Sequence, residues 1–282
     1  MGRPHTWVDG AVTDMVPADD RGLNYADGAF ETLACEGGAI QCLSLHHRRL
    51  AAAFEMLSFC DPVALATDTF EQAKELLSEV DHTGIARLTV TRGSGPRGYA
   101  PSVAAKPRSI LVAHEVSAQK LTPLRCGIAR TRWATQPQLA GLKLLARTEQ
   151  VLAAGEVSAS GWHDAIMLDA NDRVISGSRG NIFLIKDGLA VTPCLDRCGI
   201  AGTRRQILLE HILPASGFET VIREIDLEEL FQADAVFMTN TVVGLRPVGS
   251  IADTSFANAS AVQAVEDLQR ALAEHLTQCY EA

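Results

Sequence analysis

Short apolar runs bounded by glycine, proline and acidic turn residues recur through the second half of this chain: LRCGIART, DAIMLD, NIFLIKDG, LAVTP and AVFMTN. Each reads as a strand, and together they commit that half to a sheet-rich fold. Helix-period stretches stand between them: TRRQILLEHIL, the short DLEELFQA and a final helix from about Asn258. The first half is mixed in the same way. WVDGAVT reads as a strand and turn, and AFETLAC, EGG and AIQCL read as a hairpin with a Gly-rich turn. From Ser44, Leu50, Phe54 and Leu57 recur at helical spacing, and a second helix is expected over 67–80. ARLTVTRG and SILVAHEV read as strands flanking the loop GSGPRGYAPS. The apolar pattern breaks at SAQKLTP. The expectation is a mixed α/β (α+β) protein with a smaller N-terminal domain over 1–117, a linker over 118–123 and a larger C-terminal domain over 124–282.

A chain of 282 residues, 47% hydrophobic and 21% charged, has the composition of a globular protein with a real core. Its formal net charge of −9 argues against a general binder of nucleic acid or anionic membrane. No apolar run approaches the length of a membrane span, and the start MGRPHTWVDG has no apolar h-region. The 7 cysteines form no CxxC pair, which predicts reduced thiols and a cytoplasmic location. No HExxH, GxSxG or Walker pattern is present, and no metal site is expected.

Three stretches carry candidate chemistry. In LAGLKLLARTEQV, Lys143 lies between Leu142 and Leu144 at what reads as the start of a helix. A helix N-terminus and apolar neighbours both disfavour an ammonium ion, and a neutral amine is what Schiff-base chemistry requires. The plain alternative is a lysine whose stem packs while its head reaches water. In GIAGTRRQILLEHIL, glycines precede a helix whose first turn holds Thr203, Arg204 and Arg205. Such a start seats a phosphate, or is an ordinary helix beginning. Arg49 in HHRRL is either a phosphate clamp or a surface arginine. RGSGPRGYAP is either a loop delivering Arg97 to a carboxylate or a solvated loop.

Taken in order, these segments resemble the fold-type IV pyridoxal-phosphate enzymes, and within that group the aminodeoxychorismate lyases. The carriers are NYADGAFETL, LSLHHRRL, RGSGPRGYAP, LAGLKLLARTEQVLA, GNIFLIKDG, GIAGTRRQ and TNTVVGLRPVG. The resemblance covers almost the whole chain and implies a two-domain fold with a β-barrel-like second domain. It implies pyridoxal 5′-phosphate as cofactor, with Lys143 as the Schiff-base lysine and Arg49 at the phosphate. Gly202 and Thr203 would add main-chain contacts, with Thr239 and Thr241 in the following turn. Arg97 would meet substrate carboxylates, with Tyr99 and Thr32 beside it and Phe30 as a pocket wall.

One position departs from the pattern. Relatives usually carry a glutamate before the GNIF-like strand, facing the pyridine nitrogen; RVISGSRGNIF has Ser176 there. A hydroxyl shares a hydrogen bond but supplies no charge. The implied reaction is elimination from 4-amino-4-deoxychorismate to 4-aminobenzoate and pyruvate, a step in folate biosynthesis. The implied setting is a homodimer coupled functionally to aminodeoxychorismate synthase. The alternatives are an aminotransferase acting on branched-chain or D-amino acids or amines, and a non-catalytic cofactor-binding relative.

Overall fold

The computed structural model describes residues 4–102, 105–116 and 122–281. The chain forms two compact units. The first comprises Met1–Ala118, Leu142–Ala146 and Leu276–Ala282; the second comprises Gln119–Gly141 and Arg147–His275. The expected linker at 118–123 falls largely outside the described residues. The partition also differs from expectation at Lys143, whose segment groups with the first unit because its backbone bonds to a strand there.

The first unit contains β1 (His5–Val8), β2 (Ala11–Val12), α1 (Arg21–Tyr25), β3 (Gly28–Glu36), β4 (Ala39–Gln41), α2 (Leu43–Met56), α3 (Pro62–Glu79), β5 (Gly84–Thr91) and β6 (Arg108–His114). Its antiparallel sheet runs β4-β3-β5-β6-β1-β2, extended beyond β4 by the short strand Tyr280–Glu281. The hairpin β3–β4 turns on Gly37 and Gly38, both at positive φ, as a two-residue turn of this hand requires. In α2 the buried residues His46, Leu50, Ala53 and Phe54 form one stripe. α3 begins earlier than its periodicity predicts, since Pro62 fits the first helical turn, and it buries Ala66, Phe70, Ala73 and Leu77. These stripes close over Leu33, Leu88 and Leu111 of the sheet.

The second unit holds β7 (Leu124–Ile128), α4 (Thr148–Ser160), β8 (Asp164–Leu168), β9 (Val174–Gly177), β10 (Asn181–Lys186) and β11 (Leu189–Pro193). Next comes α5 (Thr203–Ile207), which runs on through a π-turn, Leu208–Ile212, into α6 (Leu213–Ala215). β12 (Glu219–Arg223), α7 (Leu227–Phe231), β13 (Ala235–Asn240), β14 (Gly244–Ile251), β15 (Thr254–Ser255) and α8 (Ala259–Thr277) follow, the last ending in the first unit. The mixed sheet runs β12-β11-β10-β13-β14-β7-β8-β9. β8 is buried throughout because cores lie on both of its faces: Ile166 and Leu168 face one, Ala165 and Met167 the other. This explains why DAIML reads as a continuous apolar run. The expected mixed α/β architecture of two sheets with helices is thus present. No described helix is long and apolar enough to cross a membrane.

Gly28 opens β3 where a third chain segment crosses it. A Cβ there would lie 2.2 Å from the Val90 carbonyl oxygen and 2.9 Å from Leu145 Cδ1. Gly28→Ala is therefore expected to destabilise the protein by about 1–3 kcal/mol, the usual range for overpacking. A lowered urea midpoint at unchanged slope is the measurement that checks it.

Candidate active site

Lys143 does not open a helix. α4 begins at Thr148, and residues 142–146 run extended along β3. Phe30 N–H donates to the Lys143 carbonyl at 3.0 Å, and Leu145 N–H donates to the Gly28 carbonyl at 3.1 Å. These bonds replace the expected helix start, so Lys143 does not sit in the first turn of a helix. Instead Lys143 Nζ lies 4.2 Å from the centre of the Phe30 ring. The expected helix start at Lys143 is thus corrected to an extended segment, and the residue expected as a pocket wall, Phe30, lies against the lysine expected to carry the cofactor.

The same ring carries a second cation. Arg87 Cζ, on β5, lies 3.8 Å from the Phe30 centre. Arg87 pairs across the sheet with Thr32, itself half-buried. The residue as a whole is exposed, yet its guanidinium lies against the ring, and that desolvation lowers its pKa. Among the described residues no carboxylate pairs with it. Sequence reading missed Arg87; the available signal was an arginine in the alternation of ARLTVT, opposite Thr32.

Arg49 is placed by a buried carboxylate. Glu31 Oε1 accepts from Arg49 Nε at 2.8 Å, and Oε2 accepts from Nη2 at 2.5 Å. His46 Nδ1 lies 2.8 Å from the same Oε2. Burial would raise the Glu31 pKa, but the charges and hydrogen bonds of Arg49 and His46 outweigh it and hold the carboxyl far below its ordinary range.

The loop carrying Arg97 and Tyr99 is anchored from below. Buried Arg21 donates to the Gly98 and Tyr99 carbonyls at 2.9 and 2.7 Å, and to Asp27 at 2.8 Å. Gly98 N–H donates to the Tyr25 hydroxyl at 3.0 Å. Arg92 is committed to Asp27 and to the Leu57 and Ser58 carbonyls, which leaves Arg97, exposed on the loop, as the arginine open to a ligand. Tyr99 is 86% exposed.

The second unit gathers the remaining candidates. Gly202 is the N-cap of α5, but its N–H already donates to Asn181 Oδ1 at 3.1 Å. The expected Gly202 main-chain contact is thus occupied by Asn181. The Thr203 hydroxyl is buried with no hydrogen-bond partner among the described residues. An orphaned donor at a helix start calls for an anionic oxygen. Thr239 donates its hydroxyl to the Gly244 carbonyl at 2.6 Å, which fixes the turn holding half-buried Thr241. Ser176 is buried on β9 and accepts from Trp133 Nε1 at 3.0 Å. Among the described residues no cluster of three or more His, Cys, Asp or Glu suits a metal ion.

Comparison with known proteins fits this arrangement. Residues 28–251 match the family model described as amino-transferase class IV. This chain belongs to that family. An aminodeoxychorismate lyase of Vibrio harveyi is 32% identical over 249 residues, covering 87% of this chain and 90% of that one. The crystal structure of 4-amino-4-deoxychorismate lyase from Pseudomonas aeruginosa has a TM-score of 0.85 at 38% identity, covering 94% and 98% of the two chains. The Escherichia coli branched-chain amino acid aminotransferase shares the fold, with a TM-score of 0.83 at 19% identity over 99% and 97%. Class IV relatives thus include both lyases and aminotransferases.

Each unit by itself offers groups that suit pyridoxal 5′-phosphate: in the first an amine on an aromatic face and an anchored guanidinium, in the second an orphaned threonine hydroxyl and a buried serine hydroxyl. The Glu31 ion pair also gives a pH signature. Its folded pKa is depressed, so its stabilisation is fully present above about pH 4.3, the ordinary glutamate value, and is lost as pH falls toward the folded value. Glu31→Gln should flatten that acid limb and cost about 3–5 kcal/mol at neutral pH, since it strips a buried charge of its partner. Urea titrations over a pH series test both statements.

Proposed function

We propose that the protein is a pyridoxal-phosphate-dependent aminodeoxychorismate lyase, releasing 4-aminobenzoate and pyruvate from 4-amino-4-deoxychorismate. The observation that carries this reading is the Lys143 amine over Phe30, with a second cation, Arg87, against the same ring. It supports a reading in which a proton-transferring amine works beside a group suited to a substrate carboxylate. The named activities of the Vibrio and Pseudomonas relatives support the same choice.

When bound, the cofactor supplies an aldehyde for covalent capture of an amine and a ring that accepts electron density. The chain does the rest. Lys143 holds the cofactor at rest. During turnover its amine takes the proton from the substrate carbon bearing nitrogen and can return one to the departing pyruvate methylene. Phe30 walls the pocket and keeps water from that amine. Arg87 and Arg97 bind the two carboxylates, with Tyr99 and Thr32 alongside. Arg49 and Thr203 would hold the phosphate, with Thr239 and Thr241 contributing through their turn, and Ser176 would serve the ring nitrogen. Folate biosynthesis, a cytoplasmic location, a homodimer and functional coupling to the synthase belong to the same proposal.

The protein should bind pyridoxal 5′-phosphate as a yellow species, and borohydride should fix the cofactor to the peptide containing Lys143. Lys143→Ala should lower pyruvate release from enzymatically generated substrate by about 10²–10⁴-fold. Retained turnover in that variant would remove Lys143 from the mechanism. Formation of pyridoxamine phosphate on incubation with amino donors would favour an aminotransferase instead.

Losing a charge-assisted hydrogen bond worth about 1.5–3 kcal/mol should raise KM about 10- to 100-fold in Arg87→Ala and in Arg97→Ala. A steady-state comparison of the two variants identifies which guanidinium carries more of the substrate charge. If KM stays at the parent value in both, neither arginine is the carboxylate anchor.

A further inference from the structure

Ser176 stands where the class resemblance puts the partner of the pyridine nitrogen, and its surroundings settle what a hydroxyl can do there. The residue is 4% exposed. Its oxygen accepts from the indole N–H of Trp133, a group that can only donate. The serine proton is therefore the donor left over, and no described hydrogen bond takes it up. A neutral pyridine nitrogen is an acceptor for such a proton. A pyridinium is itself a donor and is held by a carboxylate.

The acids on neighbouring elements are already engaged. Asp164 on β8 accepts from the Ser178 hydroxyl and from the Ala165 and Ser178 N–H groups. Asp169, after β8, accepts from the Asn171 and Arg173 N–H groups. Glu149 on α4 accepts from Ala134 N–H. The other face of Trp133's surroundings is cationic: Arg147 Cζ lies 5.7 Å from its ring centre. The Cys198 thiol in the same core is pushed up to about 12, chiefly by burial, and Asp196, which also acts on it, is hydrogen-bonded to the Cys194 thiol. Among the described residues these carboxylates are already hydrogen-bonded, and a pyridinium here would meet a like charge beyond the indole.

We propose that Trp133 fixes Ser176 as a hydrogen-bond donor to the cofactor's ring nitrogen, so that this nitrogen stays unprotonated in the loaded protein. The inference rests on the cofactor reading above. Trp133 is a positioning residue in it, and Ser176 the residue in contact. An unprotonated ring is a weaker electron sink, which narrows the chemistry to reactions with their own driving force.

The test uses the full chain loaded with pyridoxal 5′-phosphate labelled with nitrogen-15 in the ring. The wild-type resonance should sit in the range of neutral pyridine and stay there as pH falls through the folded range. Ser176→Glu should move it to the pyridinium range. Trp133→Phe, which frees the serine oxygen to accept, should raise the protonated fraction at the acid end. A pyridinium signal in the wild-type protein overturns the inference, and that measurement needs no variant to fold. A Trp133→Phe titration superimposable on wild type removes the tryptophan from it. A wild-type protein that takes up no cofactor overturns the cofactor reading, and this inference with it.

Discussion

Two backbone hydrogen bonds hold Lys143 in place: Phe30 N–H to the Lys143 carbonyl, and Leu145 N–H to the Gly28 carbonyl. Residues 142–146 lie in sequence between two stretches of the second unit, yet they belong to the first because of this pairing with β3. An extended segment beside a strand has its side chains set by the strand's own register. The direction in which the lysine stem leaves the backbone is therefore set by the sheet. Gly28 permits the approach, since any side chain there would meet Val90 and Leu145. Leu144, buried in the same core as Leu33 and Leu88, anchors the segment by apolar contact.

β3 also organises charge. Glu31, next to Phe30, is fully buried and binds Arg49 and His46. Successive strand residues face opposite ways, so one strand supplies an aromatic surface and a buried carboxylate in adjacent positions. A buried ion pair adds little net stability, but it holds a planar guanidinium in one orientation. Asp27, just before β3, serves Arg21 and Arg92 in the same manner, and Arg21 then grips the loop carbonyls at 98 and 99. Arg49, Arg21 and Arg92 are thus placed by carboxylates on β3 or just before it.

Much of this was legible in the residues. The β3–β4 hairpin followed from AFETLAC, two glycines and AIQCL, and α2 from Leu50 and Phe54 at helical spacing. The family resemblance draws attention to Lys143, Arg49 and Phe30, and the structure sets Lys143 on the Phe30 ring and Arg49 on Glu31. The errors have physical causes. LAGLKLL carries apolar residues at a spacing that suits either a helix or a buried extended segment, and only the partner strand decides. VISG and GLRPVGSI were not read as strands because glycine and proline depress β-propensity, whereas burial and pairing override it at β9 and β14. Arg87 and Trp133 were invisible as site residues because their roles come from contacts across the fold: 57 residues separate Arg87 from Phe30, and 43 separate Trp133 from Ser176.

Reaction choice within a fold shared by lyases and aminotransferases depends on how strongly the ring withdraws electrons. Transamination must carry a proton away from one carbon and return one to another with no product stability to help. Elimination that leaves an aromatic ring gains its driving force from the product itself. A site with a carboxylate at the ring nitrogen serves either outcome. A site with a neutral hydroxyl, its oxygen already taken by an indole N–H, favours the one in which the substrate supplies the driving force. On the proposed reading, Ser176 in place of a charged side chain would restrict chemistry without altering the sheet that displays it. The restriction needs Trp133 as well, because a serine free to accept could still support a protonated ring.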